Sequence, residues 1–181
     1  MFDSNKTNKT KNTNSKILSG FEILKTTIIS VIIAITVLCF FRLTVVNGQS
    51  MEPSLYNNEK LLLSTTSYTF SDVKRGDIVV VRPNKINVDY IIKRVIALPG
   101  DTVEIKDNVI YVNDKAIEES YVKEPMITAN IDKFKLANNE YFICGDNRNN
   151  SLDSRSEILG PITKDEIFGK IVFDFSKFKF L

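Results

Sequence analysis

The sequence predicts a mainly β, antiparallel domain carried on one N-terminal transmembrane helix. Three observations predict it. Sixteen residues from Thr26 to Phe41 pass without a charge, short apolar runs closed by turn residues fill the chain after residue 43, and little of that later part suggests helix. With 181 residues there is room for one domain with its own core, and too little for two large ones.

Residues 1–20 are a basic, polar, low-complexity tail (SNKTNKTKNTNS) whose composition predicts disorder. Five lysines against Asp3 and Glu22 give residues 1–25 a charge of +3, which leaves −1 for the remainder of a chain of net +2. Residues 21–42 are the anchor. Its uncharged stretch alone spans roughly 24 Å at 1.5 Å per residue, and Lys25 and Arg42 can snorkel to the two interfaces. The run is too long for a buried strand and shows neither strand alternation nor a polar helical face. Lysines crowd its N-terminal side, which predicts residues 1–20 in the cytoplasm and residues 43–181 on the extracytoplasmic face of a cell membrane. No small-x-small site follows at Arg42-Leu43-Thr44-Val45-Val46-Asn47, so the anchor is expected to remain uncleaved, with membrane lipid as a partner.

Beyond the anchor, strands are expected at Lys60–Ser64, Asp77–Arg82 and Asp89–Leu98. A hairpin is expected at Thr102–Ile105 and Val109–Val112, and further strands at Glu140–Cys144 and Ile167–Phe175. Helical turns are expected only at Ser71–Arg75 and Lys164–Ile167. No internal repeat is visible, and strand order does not follow from these patterns.

Composition removes several function classes. The chain has no histidine, so it holds neither a Ser-His-Asp nor a Cys-His site, nor the common zinc sites built on imidazole. No metal and no cofactor are expected. A body of charge −1 lacks the positive footprint of a nucleic-acid binder. Cys39 lies inside the apolar segment, so it and Cys144 are expected as buried thiols rather than a disulfide.

Three segments carry candidate chemistry. In Asn47-Gly48-Gln49-Ser50-Met51-Glu52-Pro53-Ser54-Leu55, Gly48 permits a positive φ or close backbone approach and Pro53 stiffens the exit. Ser50 between them is either an ordinary turn serine or a hydroxyl on a constrained turn. It lies eight residues past Arg42, at most roughly 28 Å along an extended chain. In Tyr90-Ile91-Ile92-Lys93-Arg94-Val95-Ile96, strand alternation puts Lys93 with Ile91 and Val95 and puts Arg94 on the other face. Lys93 is either an edge-strand charge or a buried amine; burial would disfavour its ammonium form. The third segment, Gly145-Asp146-Asn147-Arg148-Asn149-Asn150-Ser151-Leu152-Asp153-Ser154-Arg155, fails as a calcium loop. Arg148 stands where an oxygen ligand is needed and the central glycine is missing. It reads as a loop knitted by Asx turns and an Asp–Arg pair, able to hold a hydroxyl rigidly.

Taken together, Gly48 to Leu55, Arg75-Gly76-Asp77-Ile78-Val79-Val80, Tyr90 to Asp101 (YIIKRVIALPGD) and Gly145 to Arg155 resemble the motifs of bacterial type I signal peptidases, in the same order and after an N-terminal anchor. The short stretch from Pro99 to Glu140 is similar to the compact Gram-positive type. The resemblance implies the antiparallel β catalytic domain of those enzymes and a serine endopeptidase acting on preproteins that bear signal peptides, with cleavage after small-x-small sites. It implies Ser50 as nucleophile and Lys93 as general base, with Ser151 bonding and orienting the lysine amine. Asp153 and Arg155 match a supporting ion pair, and Asp146 the same scaffold. Gly48, Gln49, Met51 and Pro53 fall in the substrate and oxyanion region, with the Ser50 N–H as one oxyanion donor. Gly48 stands where some relatives carry a serine that supplies the second donor. Ser54 and Ala97 replace a usual Thr and Gly.

Rival readings are weaker on the residues. Ser71-Asp72-Val73-Lys74 matches the Ser-x-x-Lys of penicillin-binding enzymes, without their partner motifs. A self-cleaving repressor with a Ser–Lys core would need a DNA-binding module in place of the anchor. A non-catalytic extracellular β-module would not need four intact motif segments.

Overall fold

The structure, a computed structural model, describes the backbone of residues 4–181 and side chains from Gly20 onward, Phe70 apart. It divides into two compact units that meet in sequence at Phe40 and Phe41. The first is helix α1 (Ser4–Phe40). It begins inside the tail for which composition predicts disorder, so the expected boundary at residue 20 is not a break in the backbone helix. No proline interrupts this segment. Gly20–Phe40 is long and apolar enough to cross a membrane, and its 21 residues measure about 31 Å, close to a typical hydrocarbon core. Hydroxyls within it bond their own helix: Thr26, Thr27, Ser30 and Thr36 each donate to the carbonyl four residues back, at 2.7–2.9 Å. A hydroxyl satisfied in this way can enter a medium that offers no water.

The expected anchor is two residues too long at its end. Phe41 and Arg42 belong to strand β1 (Phe41–Val45), paired antiparallel with Ser64 and Leu63 of β2 (Lys60–Ser64). Then come a four-residue helical turn α2 (Ser67–Phe70), β3 (Ile78–Val81) and β4 (Ile91–Ala97). After these run β5 (Thr102–Lys106), β6 (Val109–Val112), β7 (Lys115–Ala116), β8 (Ile131–Lys135) and β9 (Glu140–Cys144). The chain ends with β10 (Ile162–Thr163), a 3₁₀ turn at Lys164–Glu166, β11 (Ile167–Asp174) and β12 (Lys179–Phe180). The larger sheet has the order β1-β2-β11-β3-β4-β9-β10, with β12 on β11; the smaller is β7-β6-β5-β8. Every pairing is antiparallel.

The helical turn expected at Ser71–Arg75 lies instead at Ser67–Phe70, and Ser71 is already extended. Asp77 explains the displacement. Its Oδ2 accepts the Lys74 N–H and the Tyr68 hydroxyl, both at 2.9 Å, which bends residues 74–77 into a turn around the carboxylate.

β3 is apolar at all four positions because both of its faces are covered. Ile78 and Val80 join a core with Val46, Met51, Leu55, Leu61, Leu63 and Ile171, while Val79 and Val81 join one with Val95, Ile143, Leu159 and Ile162. A third core, around Val103, Ile105, Ile110, Val112 and Phe142, lies with the smaller sheet. Neither cysteine is in a disulfide; Cys144 is buried as expected, whereas Cys39 is exposed on the helix surface.

Candidate active site

Ser50 sits on a turn held from both sides. Gly48 takes φ +103°, a value side chains rarely adopt, and its N–H donates to Asn57 Oδ1 at 2.9 Å. Met51 and Leu55 are buried in the core below. Asn147 grips the backbone above: its N–H donates to the Ser50 carbonyl at 3.0 Å and its side-chain amide to the Gln49 carbonyl at 3.1 Å. The residue before Ser50 and Ser50 itself are therefore fixed by the loop from Gly145.

Lys93 resolves the alternative that the sequence left open: its residue is 3% exposed, and it is not an edge charge. β4 is an interior strand, with β3 on one side and β9 on the other. The Lys93 Nζ lies 2.8 Å from Ser50 Oγ and donates to the Ile92 carbonyl at 3.0 Å. Burial lowers its pKa from the ordinary 10.5 to about 8; the Asp153 charge works against that fall without reversing it. A hydroxyl in contact with an amine whose proton is held less tightly than usual is what general-base activation of a nucleophile requires.

Two ion pairs brace the loop. Asp153 accepts from Arg155 Nε and Nη2, each at 2.8 Å, and its Oδ2 accepts the Gly145 N–H at 2.9 Å. Asp146, fully buried, takes a bidentate bond from Arg94 at 2.8 and 2.6 Å. Ser151 is near Ser50, but its buried Oγ has no hydrogen-bond partner among the described residues. The bond to the Lys93 amine that the resemblance implies is not formed in this conformation.

Gly145 is where the segments converge. A Cβ built there would stand 2.4 Å from the Ser50 carbonyl oxygen and 2.3 Å from Ser151 Oγ. Gly145→Ala is therefore expected to displace the Ser50 backbone, with any catalytic rate that depends on Ser50 falling about 10²-fold or more. Rate per folded enzyme, with folding checked by circular dichroism, tests this. Unchanged turnover would show that the contact tolerates a side chain.

A cleft of about 440 Å³ opens on the pair, with Arg42 to Val46 and Tyr90 to Lys93 among its lining residues. Gly48, Ser50 and Met51 line it, while Gln49 and Pro53 do not. β1 has β2 on one edge and, among the described residues, no strand on the other. Among the described residues no three His, Cys, Asp or Glu side chains are grouped as a metal site requires.

Sequence reasoning missed Asn147, and it missed Arg94 as the partner of Asp146. It also passed over Glu119, which takes Arg148 through both carboxylate oxygens. The charge count offered a signal. A loop holding two arginines and two aspartates needs partners outside itself once one pair has closed internally.

Residues 20–176 match the family described as signal peptidase, peptidase S26. The chain is 39% identical over 178 residues to Signal peptidase I of Bacillus licheniformis, covering 93% of this chain and 94% of that one. Against Signal peptidase I S of Bacillus subtilis (strain 168) the identity is 40% over 175 residues, covering 91% and 93%. A crystal structure of a signal peptidase I from Enterococcus faecalis V583 aligns with a TM-score of 0.48 at 28% identity, over 55% of this chain and 97% of that one.

Proposed function

The chain belongs to the signal peptidase family, peptidase S26, and from that premise we propose that it is a membrane-anchored serine endopeptidase that removes signal peptides from exported preproteins with Ser50 as nucleophile and Lys93 as general base. The observation that carries this reading is the buried Lys93 amine, 2.8 Å from Ser50 Oγ. In its neutral form the amine accepts the Ser50 proton as Oγ attacks the scissile carbonyl. The resulting ammonium protonates the departing amine of the mature protein. Lys93 then activates a water that releases the acyl-enzyme.

The Ser50 N–H supplies one oxyanion donor. Gly48 has no hydroxyl to give, and its N–H is engaged by Asn57, so the second donor comes from another residue. A rotation of the Ser151 hydroxyl toward Lys93 gives it the lysine-orienting role. Asp146, Asp153 and Arg155 hold the loop. The substrate runs as an added strand along the cleft wall formed by β1, with small side chains one and three residues before the cut. The lysine-rich segment before the anchor places the N-terminus in the cytoplasm and residues 43–181 outside, with lipid around Gly20–Phe40.

The pH dependence of acylation tests the base. Only the unprotonated amine can accept the proton, and its pKa is about 8. The rate is expected to rise about tenfold per pH unit below that value and to level above it. Single-turnover cleavage of a precursor with an Ala-x-Ala site, from pH 5 to 10, gives the profile. A flat acylation rate from pH 5 to 9 would falsify a lysine base.

A further inference from the structure

Two side chains outside the four motif segments reach the same loop. Glu119 and Tyr121 follow β7, and Ile117 and Tyr121 pack against the core of the smaller sheet, which fixes this stretch at its origin. Glu119 accepts from Arg148 Nη1 at 2.6 Å through Oε2 and from Nη2 through Oε1. The Arg148 side chain is 1% exposed, so its cation relies on a protein anion rather than on water.

Arg148 passes this restraint on. Its Nε donates to the Gly145 carbonyl at 3.0 Å, and its own carbonyl accepts from Arg155 Nη2 at 2.7 Å. Arg155 grips Asp153, which takes the Gly145 N–H. Both backbone groups of Gly145 are thus held, one through each arginine, and Gly145 lies so close to the Ser50 carbonyl and Ser151 that a Cβ there would collide with both. Tyr121 joins this network to the other ion pair. Its hydroxyl donates to Glu119 Oε1 at 2.7 Å, and the Arg94 guanidinium lies 4.1 Å from its ring centroid while binding Asp146. Burial beside Glu119 raises the phenol well above its ordinary range, which keeps the hydroxyl a donor.

We propose that Glu119, supported by Tyr121, is a positioning residue for the Ser50–Lys93 pair, acting through Arg148 on Gly145; the proposal rests on the dyad reading given above. Glu119 touches neither Ser50 nor Lys93. Its work is to hold the Arg148 guanidinium where Nε meets the Gly145 carbonyl. Without that anion the guanidinium turns toward water, the Gly145 carbonyl is released, and the Asn147 contacts that fix Gln49 and Ser50 shift with it.

The test uses the full chain in detergent micelles and a precursor with an Ala-x-Ala site. Glu119→Gln keeps the shape and loses the charge, and is expected to lower kcat about tenfold. Glu119→Ala should lower it about 10²-fold, in keeping with a small misplacement of reacting groups. KM should stay within about twofold, because no substrate contact is removed. Tyr121→Phe, which deletes one hydrogen bond, should cost about fivefold at most. The alkaline onset of acylation should keep its wild-type position, since Lys93 stays buried. A residue that only fastened the loop for stability would lower the melting temperature and leave kcat per folded enzyme unchanged. That result for Glu119→Gln overturns the proposal, and Glu119→Gln carries the test if the alanine variant does not fold. Ser50→Ala and Lys93→Met serve as controls. If either still cuts, the dyad reading fails and this proposal falls with it; if both are inactive while the folded Glu119 variants keep wild-type kcat, the positioning role alone is refuted.

Discussion

Lys93→Met is expected to abolish cleavage and, at neutral pH, to make the folded chain more stable than the wild type. The first effect follows from removing the proposed base for the Ser50 proton; a loss of at least about 10³-fold is expected, and Ser50→Ala should match it. The second follows from burial. An unfolded lysine titrates near 10.5, whereas the folded one is held to about 8. Below pH 8 both states carry the proton, and the folded state bears the whole cost of an ammonium away from water, roughly 3 kcal/mol. Between pH 8 and 10.5 only the unfolded chain still binds the proton, so wild-type stability climbs with pH. Methionine is close in length and carries no such cost. Losing the bonds to Ser50 and Ile92 offsets part of the gain, about 1 kcal/mol, which leaves about 2 kcal/mol at pH 7. Urea midpoints at pH 7 and pH 10.5 measure this, and the margin should shrink at the higher pH. A variant less stable than wild type at pH 7 would mean that the amine is solvated in the folded state. Sites that sacrifice stability for chemistry behave in this way.

Asp153→Asn should be damaging in the opposite sense. The Asp153 carboxylate is buried, faces Arg155 and takes the Gly145 N–H. An amide of the same shape leaves the Arg155 cation without its counter-charge, at a cost of about 3 kcal/mol. Asp153 is also the strongest of the influences that raise the Lys93 pKa against burial. Its removal lets burial pull that pKa further down, so the acylation rate should level off at a lower pH than in the wild type. Chemical denaturation and a pH–rate profile on the folded fraction read the two effects separately. A levelling pH that stays in place or moves upward would rule out the Asp153 charge as an influence on the base.

The strands with continuous or alternating apolar residues were legible in the sequence because burial is written in side-chain type. β3 with its Ile-Val-Val-Val run and β4 around Lys93 are the clearest. β1 was hidden, since apolar residues continue on both sides of Arg42 and hydropathy does not mark where helix gives way to strand. The two-residue strands β7, β10 and β12 are too short to show any period. In the site, Ser50, Lys93 and the Asp153–Arg155 pair could be named from motif order. That Arg94 closes on Asp146, and that Glu119 meets Arg148, depends on folding that brings together residues 52 and 29 positions apart. Local pattern carries no information at that range. The hydroxyl orientation of Ser151 is rotamer detail, which sequence does not encode.

The position of β1 bears on how a soluble version of the protein should be cut. Phe41 follows the last helical residue directly, and Arg42 to Val46 are themselves one bank of the groove that faces Ser50. A truncation that trims generously past the helix, starting at Asn47, would discard the ledge proposed to hold an extended peptide and strip β2 of its outer neighbour. A start at Phe41 keeps both.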